Sequence, residues 1–300
     1  MNEDGFHHFI CGKLLGDGCI TKQAGRKPRF QFMHRIEDAA WVQNGYEQLK
    51  SNIPLNPPTY RKVADARLKK GYSESYIVQS RTDDAITALY ELWYPDGKKK
   101  LPIDWIEQYL DERALAWWYQ DDGHLKIANG IASKIILSTD SFAPAENEWL
   151  TQTIENKWKL RFQQDGQNRL ILYDQFQIMY FLHLVSPWLH DSMARKTIRE
   201  QPLKPIAKRT TIYLPSSYEI ARPTKEINEK LSKLNTLFLD METKSICRES
   251  IFHLFYPLLN QTTSMKSYQI IIHDDHKTAL QRIRQLTGLT VSQLVGYCFM

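Results

Sequence analysis

Two Asp-Gly steps, Asp17-Gly18 and Asp122-Gly123, each close a run of apolar and small residues. In the run Leu115-Ala116-Trp117-Trp118-Tyr119-Gln120-Asp121-Asp122-Gly123, the residues Leu115, Trp118 and Tyr119 recur at i, i+3 and i+4. This spacing predicts a helix, with Gly123 expected in the left-handed position just past its end. Asp121 and Asp122 then fall in the last turn, against the negative end of the helix dipole, where each charge costs roughly 0.3–1 kcal/mol. A bound divalent cation would offset that cost, and one or two carboxylates with several waters are the hard oxygen ligands that Mg²⁺ prefers. A second copy, Ile10-Cys11-Gly12-Lys13-Leu14-Leu15-Gly16-Asp17-Gly18, aligns Ile10 with Leu115, Cys11 with Ala116 and Asp17 with Asp122. Gly12 and Gly16 stand four apart on one side of this helix, where small residues let another backbone approach closely. Two such helices side by side would bring Asp17 and Asp122 together at their C-terminal ends. Asp121 has Gly16 as its counterpart; two adjacent carboxylates cannot both face one site, so Asp121 is expected to be structural or to stand behind the ligands. His7, His8 and His124 are read as packing or surface residues.

The stretches between the two helices supply the framework. After Gly18 the period turns from helical to alternating: Cys19 to Lys22 and Arg29 to His34 read as strands, with Phe30 and Phe32 on one face and Arg29, Gln31 and Met33 on the other. An amphipathic helix is predicted over Glu37 to Lys50, strands over Tyr60 to Leu68 and Tyr72 to Ser80 around Lys69-Lys70-Gly71, and a helix capped by Thr82 running to Trp93. The second half repeats the order, with strands near Lys126–Ala128 and Ser133–Ser138, a helix from Pro144 to Trp158, strands Leu160–Gln164 and Arg169–Tyr173, and a helix from Gln175 to Leu189. One αββαββα unit used twice predicts an α+β fold with pseudo-twofold symmetry, the motif helices at the axis and the sheets beside them.

The hairpins are basic. Arg26, Lys27, Arg29, Gln31 and His34, then Arg61, Lys62, Arg67, Lys69 and Lys70, lie in the first half; Lys126, Lys134, Arg161, Gln163, Gln167 and Arg169 lie in the second. Lys and Arg meet phosphates, while Arg or Gln on a β-ribbon in the major groove meets base edges. Two such sheets would form a long basic saddle for DNA.

With the paired motifs, Lys98-Lys99-Lys100-Leu101-Pro102, the stretch Ser133 to Phe142, and Ser186-Pro187-Trp188-Leu189 before Met193-Ala194-Arg195-Lys196, the chain resembles the single-chain, two-motif LAGLIDADG homing endonucleases encoded in group I introns. The resemblance covers roughly residues 5–205. It implies a first repeat over residues 1–98 and a second over 99–209, and it says nothing about residues 210–300, which read as a mainly helical extension. It also implies that Lys99 and Lys196, each just past the last helix of its half, match the family's active-site lysines. The implied activity is a metal-dependent double-strand cut across the minor groove of DNA, leaving short 3′ overhangs at a long, asymmetric recognition site. The carboxylates Asp17 and Asp122 would hold Mg²⁺, with Mn²⁺ as an alternative, and the lysines would add positive charge near each scissile phosphate. A monomer is the expected state. The same fold also serves intron RNA maturases and non-catalytic DNA-binding regulators; both Asp and both Lys are present here, which favours the nuclease.

Bulk properties agree with a folded domain protein: 300 residues, 42% hydrophobic and 24% charged, with net charge +5. Cys11, Cys19, Cys247 and Cys298 are scattered, which indicates neither a zinc site nor a disulfide framework and fits a reducing compartment, the cytoplasm or an organellar matrix. No basic leader with a cleavage site and no stretch of about 18 apolar residues is present, so neither secretion nor a membrane span is expected. Beyond Arg209 a helix-period stripe marks Lys225 to Asp240, and a further helix is expected over Ser245 to Leu259. Then come a strand at Tyr268–His273, a helix at Asp275–Leu286, a Thr287-Gly288 stop and a helix opened by Thr290 with Gln293. This strand-helix-helix order resembles the ribbon-helix-helix family of DNA-binding dimers, which implies pairing between chains through the tail or added DNA affinity.

Overall fold

The computed structural model describes residues 3–198, 200–243, 245–257 and 264–300. It divides into two compact units, one built from Met1–Leu125, Ile135–Leu172 and Leu184–Thr197, the other from Lys126–Lys134, Tyr173–His183 and Ile198–Met300.

In the first unit the motif helix α1 (Glu3–Leu15) is followed by β1 (Cys19–Thr21), β2 (Arg29–Arg35), α2 (Ala39–Leu49), β3 (Thr59–Ala64), β4 (Tyr72–Gln79) and α3 (Asp84–Trp93). A short α4 (Ile103–Tyr109) then leads into the second motif helix, α5 (Glu112–Asp122). The order repeats as β5 (Gly123–Ala128), β6 (Ile131–Leu137), α6 (Pro144–Trp158), β7 (Gln163–Gln164), β8 (Leu170–Leu172) and α7 (Gln175–Val185). The sheets have the same plan, β1-β2-β4-β3 and β5-β6-β8-β7, so the αββαββα repeat read from the sequence is present twice. Strand alternation sets which side chains enter the core. In β2, Phe30, Phe32 and His34 are buried while Arg29, Met33 and Arg35 are exposed. Helix α3 is capped by Asp83, which accepts from the Ala85 N–H, rather than by Thr82. The final strand pair is shorter than expected, with β7 reduced to two residues.

The motif glycines serve close approach, not a left-handed turn. Gly123 has φ −82°, opening β5, and Gly18 is not among the glycines with positive φ. The left-handed stop expected at Gly123 is absent because the chain passes there directly from α5 into β5; after α1 it turns through Gly16–Gly18 before β1 begins at Cys19. A Cβ on Gly123 would lie 2.4 Å from the Tyr119 carbonyl oxygen, and one on Gly18 2.5 Å from that of Lys13. At the helix crossing a Cβ on Gly12 would lie 2.5 Å from Ala114 O, and one on Gly16 2.6 Å from Asp121 Cβ. The backbones of α1 and α5 therefore touch where the small residues stand. Gly12→Val is expected to force them apart and to destabilise the chain by about 1–3 kcal/mol, the usual penalty of overpacking. Chemical denaturation measures it, and an unchanged midpoint would contradict the crossing.

The second unit adds β9 (Arg209–Pro215), α8 (Pro223–Glu242), α9 (Arg248–Phe255), β10 (Met265–Ile271), α10 (Asp274–Thr287) and α11 (Val291–Cys298). Helix α8 buries Ile227, Leu231, Leu234 and Leu237. Helix α9 occupies part of the expected span; Leu258 and Leu259 lie outside the described residues. Gly288 does take the left-handed position, at φ 77°, and Thr290 with Gln293 forms a capping box. Strand β9, which is not among the elements expected from the sequence, pairs antiparallel with β10 from Arg209↔Ile271 to Pro215↔Met265. The tail strand thus finds its partner within the same chain.

Candidate active site

The ends of α1 and α5 bring together the acids and lysines singled out above, all within the first unit. Asp121 is fully buried, and its Oδ1 accepts from Lys13 Nζ at 2.7 Å and from Trp41 Nε1 at 2.8 Å, with His34 Nε2 at 3.3 Å. Its Oδ2 accepts the Asp17 backbone N–H at 3.3 Å. The Lys13 ammonium has no exposure and lies 4.6 Å from the ring centres of both Phe32 and Trp41. Burial would raise the Asp121 carboxyl, but Lys13 and His34 outweigh it and hold the group far below the usual range. Asp121 is therefore the buried anion that ties α1, β2, α2 and α5 together, in keeping with a structural role.

His34 was grouped with the outward-facing hairpin residues, and the structure corrects this. It shares the inward parity of Phe30 and Phe32 and is 8% exposed. Its Nδ1 lies 3.2 Å from Asp17 Oδ2, so the imidazole bridges Asp17 and Asp121. Burial and Lys13 act against its protonation, yet the two carboxylates prevail and raise its pKa. Sequence reading missed Lys13, His34 and Trp41; the parity of β2 was the signal that could have placed His34.

Asp122 is the last residue of α5. Burial, then the charges of Asp17 and Asp121, push its carboxyl up to about 7 against the pull of Lys99 and Lys196. Lys99 Nζ donates to the Gly18 carbonyl at 3.3 Å, and burial lowers its pKa. Its neighbours Lys98 and Lys100 are exposed, and Lys100 pairs with Asp96. Lys196 Nζ donates to the carbonyls of Tyr119, Gln120 and Asp121 at 3.2, 2.6 and 3.2 Å, so a cation closes the negative end of α5. Burial lowers its pKa to about 8. Arg195 points elsewhere, to Asp38 at 2.9 Å.

Ligand atoms of Asp17, His34 and Asp121 lie within 4.8 Å of one another. That trio is a poor cation site, because the Lys13 ammonium already sits 2.7 Å from Asp121 and 3.2 Å from His34 Nε2. The Asp17 side chain is 36% exposed, and Asp122, raised first by burial, also feels the charges of Asp17 and Asp121, which a divalent cation would offset.

The first sheet has a polar outer face. Arg29 and Gln31 of β2 stand beside Gln79 of β4, with the Gln79 amide donating to Gln31 Oε1 at 3.0 Å, and Arg61 of β3 is paired with Ser75. Arg26 and Lys27 are exposed in the preceding turn, where Lys27 meets Asp84 at 3.1 Å. Lys62, grouped with Arg61 in the sequence, is exposed but one residue on and therefore on the opposite face, over the Tyr72 ring at 3.7 Å. At the hairpin tip Arg67 folds onto Asp65 and Lys69 is exposed. The second sheet differs: the face that Gln163 shares with Ile171 and Ile136 is buried at both isoleucines. Gln163 itself is exposed, Arg161 meets Glu155 at 3.2 Å and Arg169 meets Asp165 at 2.7 Å. Lys134 belongs to the second unit, near the Tyr173 ring. No described helix is long and apolar enough to cross a membrane.

Comparison with known proteins agrees with this architecture. The intron-encoded endonuclease ai4 of Dictyostelium discoideum is 31% identical over 129 residues, 41% of this chain and 77% of that protein. The DNA endonuclease I-ChuI of Chlamydomonas applanata is 26% identical over 203 residues, 63% of this chain and 92% of that protein. Among solved structures, the homing endonuclease I-WcaI bound to its DNA recognition sequence superposes with TM-score 0.57 at 22% identity, covering 65% of this chain and 86% of that one. The family model of the LAGLIDADG DNA endonuclease family matches residues 7–182, across both motif helices and both sheets, and the chain belongs to that family.

Proposed function

We propose that this protein is a site-specific homing endonuclease that uses a divalent metal, Mg²⁺ or Mn²⁺, to cut both strands of a long, asymmetric duplex site across the minor groove, leaving short 3′ overhangs. The observation that carries this reading is the close crossing of the two motif helices, which ends with Asp17 and Asp122 beside the buried Lys99 and Lys196, Lys99 on the Gly18 carbonyl and Lys196 on the last carbonyls of α5. A divalent cation there would supply a nucleophilic water and charge neutralisation on the phosphoryl oxygens. Asp17 and Asp122 are the residues that would hold it. His34 fixes the Asp17 carboxylate by its contact with Oδ2. Lys196 spends its three donors on carbonyls and acts as a fixed positive charge, while Lys99, with one carbonyl contact, retains donors for a phosphate oxygen or water. The polar face of Arg29, Gln31 and Arg61, with Arg26 and Lys27, supports base and phosphate contacts by the first half; Gln163, Arg161, Arg169 and Lys134 are the proposed counterparts in the second. The repeats are proposed to divide near residues 98 and 209, with chemistry complete before the extension.

The test is incubation of the purified chain with the uninterrupted DNA of its own insertion site, with Mg²⁺ or with a chelator. Cutting only with the metal, at one position on each strand, supports the reading. Binding without cutting under every divalent ion would move it to the regulator class, and selective binding of intron RNA to the maturase class. Within that assay, Lys99→Met and Lys196→Met are each expected to slow one strand more than the other, so that nicked intermediates accumulate on a gel. Equal rates for both nicks in both variants, with slowing only for Lys98→Met, Lys100→Met or Arg195→Met, would remove the lysine assignment.

A further inference from the structure

We propose that Asp38 is a positioning residue for Lys196: its carboxylate grips Arg195 and so holds the segment that sets the Lys196 ammonium against the end of α5. The effect on cutting rests on the nuclease reading above, while the hold on Lys196 is tested apart from it.

Asp38 stands at the N-cap of α2, where an aspartate ordinarily accepts a hydrogen bond from an N–H of the first turn. Here its side chain makes no such bond. The carboxylate is 8% exposed and is turned instead to two guanidinium groups. Arg35, at the end of β2, donates from Nε to Oδ2 at 2.9 Å. Arg195 Nη2 donates to the same oxygen at 2.9 Å, and its Nη1 lies 2.9 Å from Oδ1. Burial would raise the Asp38 carboxyl, but Arg35 and Arg195 outweigh it and hold the group below its usual range, so it stays charged at neutral pH. A local cap has thus been given up for a contact with a residue 157 positions away.

The segment Asp191–Lys196 is a 3₁₀ stretch broken at Met193, whose φ of −97° and ψ of 16° are non-helical. Such a piece needs outside anchors to keep one shape. Helix α5 supplies several: Gln120 donates to the Trp188 carbonyl at 3.1 Å and accepts the His190 N–H at 2.7 Å, and the Tyr119 hydroxyl donates to the Lys196 carbonyl at 2.6 Å. Between these ends Arg195 reaches the Ser192 carbonyl at 3.3 Å, inside the segment, and Asp38, outside it. The Asp38 fork is therefore an anchor from a second helix, next to the lysine itself. Charge acts in the same direction. Arg195 and Lys196 are adjacent like charges, and Asp38 offsets the guanidinium that otherwise opposes the ammonium. The residues beside Lys99 turn elsewhere, since Lys98 is exposed and Lys100 pairs with Asp96, so loss of Asp38 should touch one lysine and not the other.

The experiment compares full-length wild type, Asp38→Asn, Arg195→Met and the double variant in two assays. Arg35 and Arg195 are exposed, so Asp38→Asn strands no buried cation; Arg195→Met gives the same readout should that variant fail to fold. In the first assay, free protein in EDTA is treated briefly with acetic anhydride, and acetylation of Lys196 and Lys99 is read by mass spectrometry. Both single variants are expected to label Lys196 about threefold or more faster, with Lys99 unchanged. In the second, single-turnover cutting of the target duplex with Mg²⁺ is followed strand by strand. Asp38→Asn is expected to slow, by about tenfold or more, the nick that Lys196→Met slows, leaving the other within about twofold and the affinity for the duplex unchanged. Because Asp38 acts through Arg195, the double variant should be no slower than the slower single one. Unchanged acetylation of Lys196 would overturn the proposal whether or not the protein cuts. In a protein that cuts, so would unchanged nicking, equal slowing of both nicks, or losses that multiply in the double variant. A wild-type protein that cuts no DNA with any divalent ion fails the nuclease reading alone, and acetylation then decides the hold on Lys196.

Discussion

Asp17→Asn and Asp122→Asn are each expected to abolish DNA cleavage, by at least about 10²–10³-fold, while leaving affinity for the target within a few-fold of wild type. Each substitution keeps the shape of the side chain and removes one of the charges proposed to hold the metal. The transition-state stabilisation at stake is several kcal/mol, and 1.36 kcal/mol is a factor of ten in rate. Binding is proposed to rest on the sheet faces, where Arg29, Gln31 and Arg61 remain untouched. Asp122→Asn has a second expected effect. It removes a carboxyl whose pKa is pushed up to about 7 by burial and by Asp17 and Asp121, so the folded protein should not lose stability and has reason to gain some. Single-turnover cleavage on a gel, anisotropy with the same duplex and chemical denaturation report the three quantities. A preserved cleavage rate in either variant would remove that residue from the catalytic pair, and a parallel loss of binding would mean that the carboxylates serve recognition instead.

Asp121→Ala, one residue away, is expected to do the opposite: its main effect is on folding. The Lys13 ammonium and the Asp121 carboxylate have no side-chain exposure, and Trp41 Nε1 donates to the same oxygen. Removing the anion leaves a buried cation and an indole N–H without their partner. Breaking a buried pair from one side costs about 3–5 kcal/mol, a large part of the roughly 5–15 kcal/mol that holds a domain together. The double variant Lys13→Met/Asp121→Leu replaces both charges with apolar volume and is expected to recover much of the loss. Urea denaturation of the single and double variants is the measurement. If Asp121→Ala unfolds at the wild-type midpoint, the buried pair does not hold the motif helices together. If the double variant is no better than the single one, the penalty lies in lost packing and not in the stranded charge.

The sequence carried the repeat because periodicity is a local property. Alternation in Arg29–Arg35, the apolar spacing before Asp122, the helix Pro144–Trp158 and the Thr290–Gln293 capping box are each decided by neighbours within a few residues, and each is found where it was read. The crossing of the motif helices was legible for a related reason, since Gly12 and Gly16 leave space that a second backbone must fill. Other features depended on residues far apart in the chain. Whether Asp121 faces the site or the core turns on Lys13 and His34, and a run of two aspartates does not name its partner. The register that set Lys99, and not Lys98 or Lys100, against the Gly18 carbonyl is likewise a tertiary outcome, because three consecutive lysines have no preference of their own. Strand β9 needed β10, fifty residues away, to be recognised: a short segment between prolines reads as a linker until another strand supplies its hydrogen bonds. The amino-acid order by itself determined two αββαββα halves, a pair of motif helices with Asp17 and Asp122 at their ends, and a strand-helix-helix tail. Only the tertiary structure decided that Asp121 is buried against Lys13, that His34 faces inward to hold Asp17, and that the tail's strand is paired in its own chain, because burial and charge pairing are settled by what packs across space.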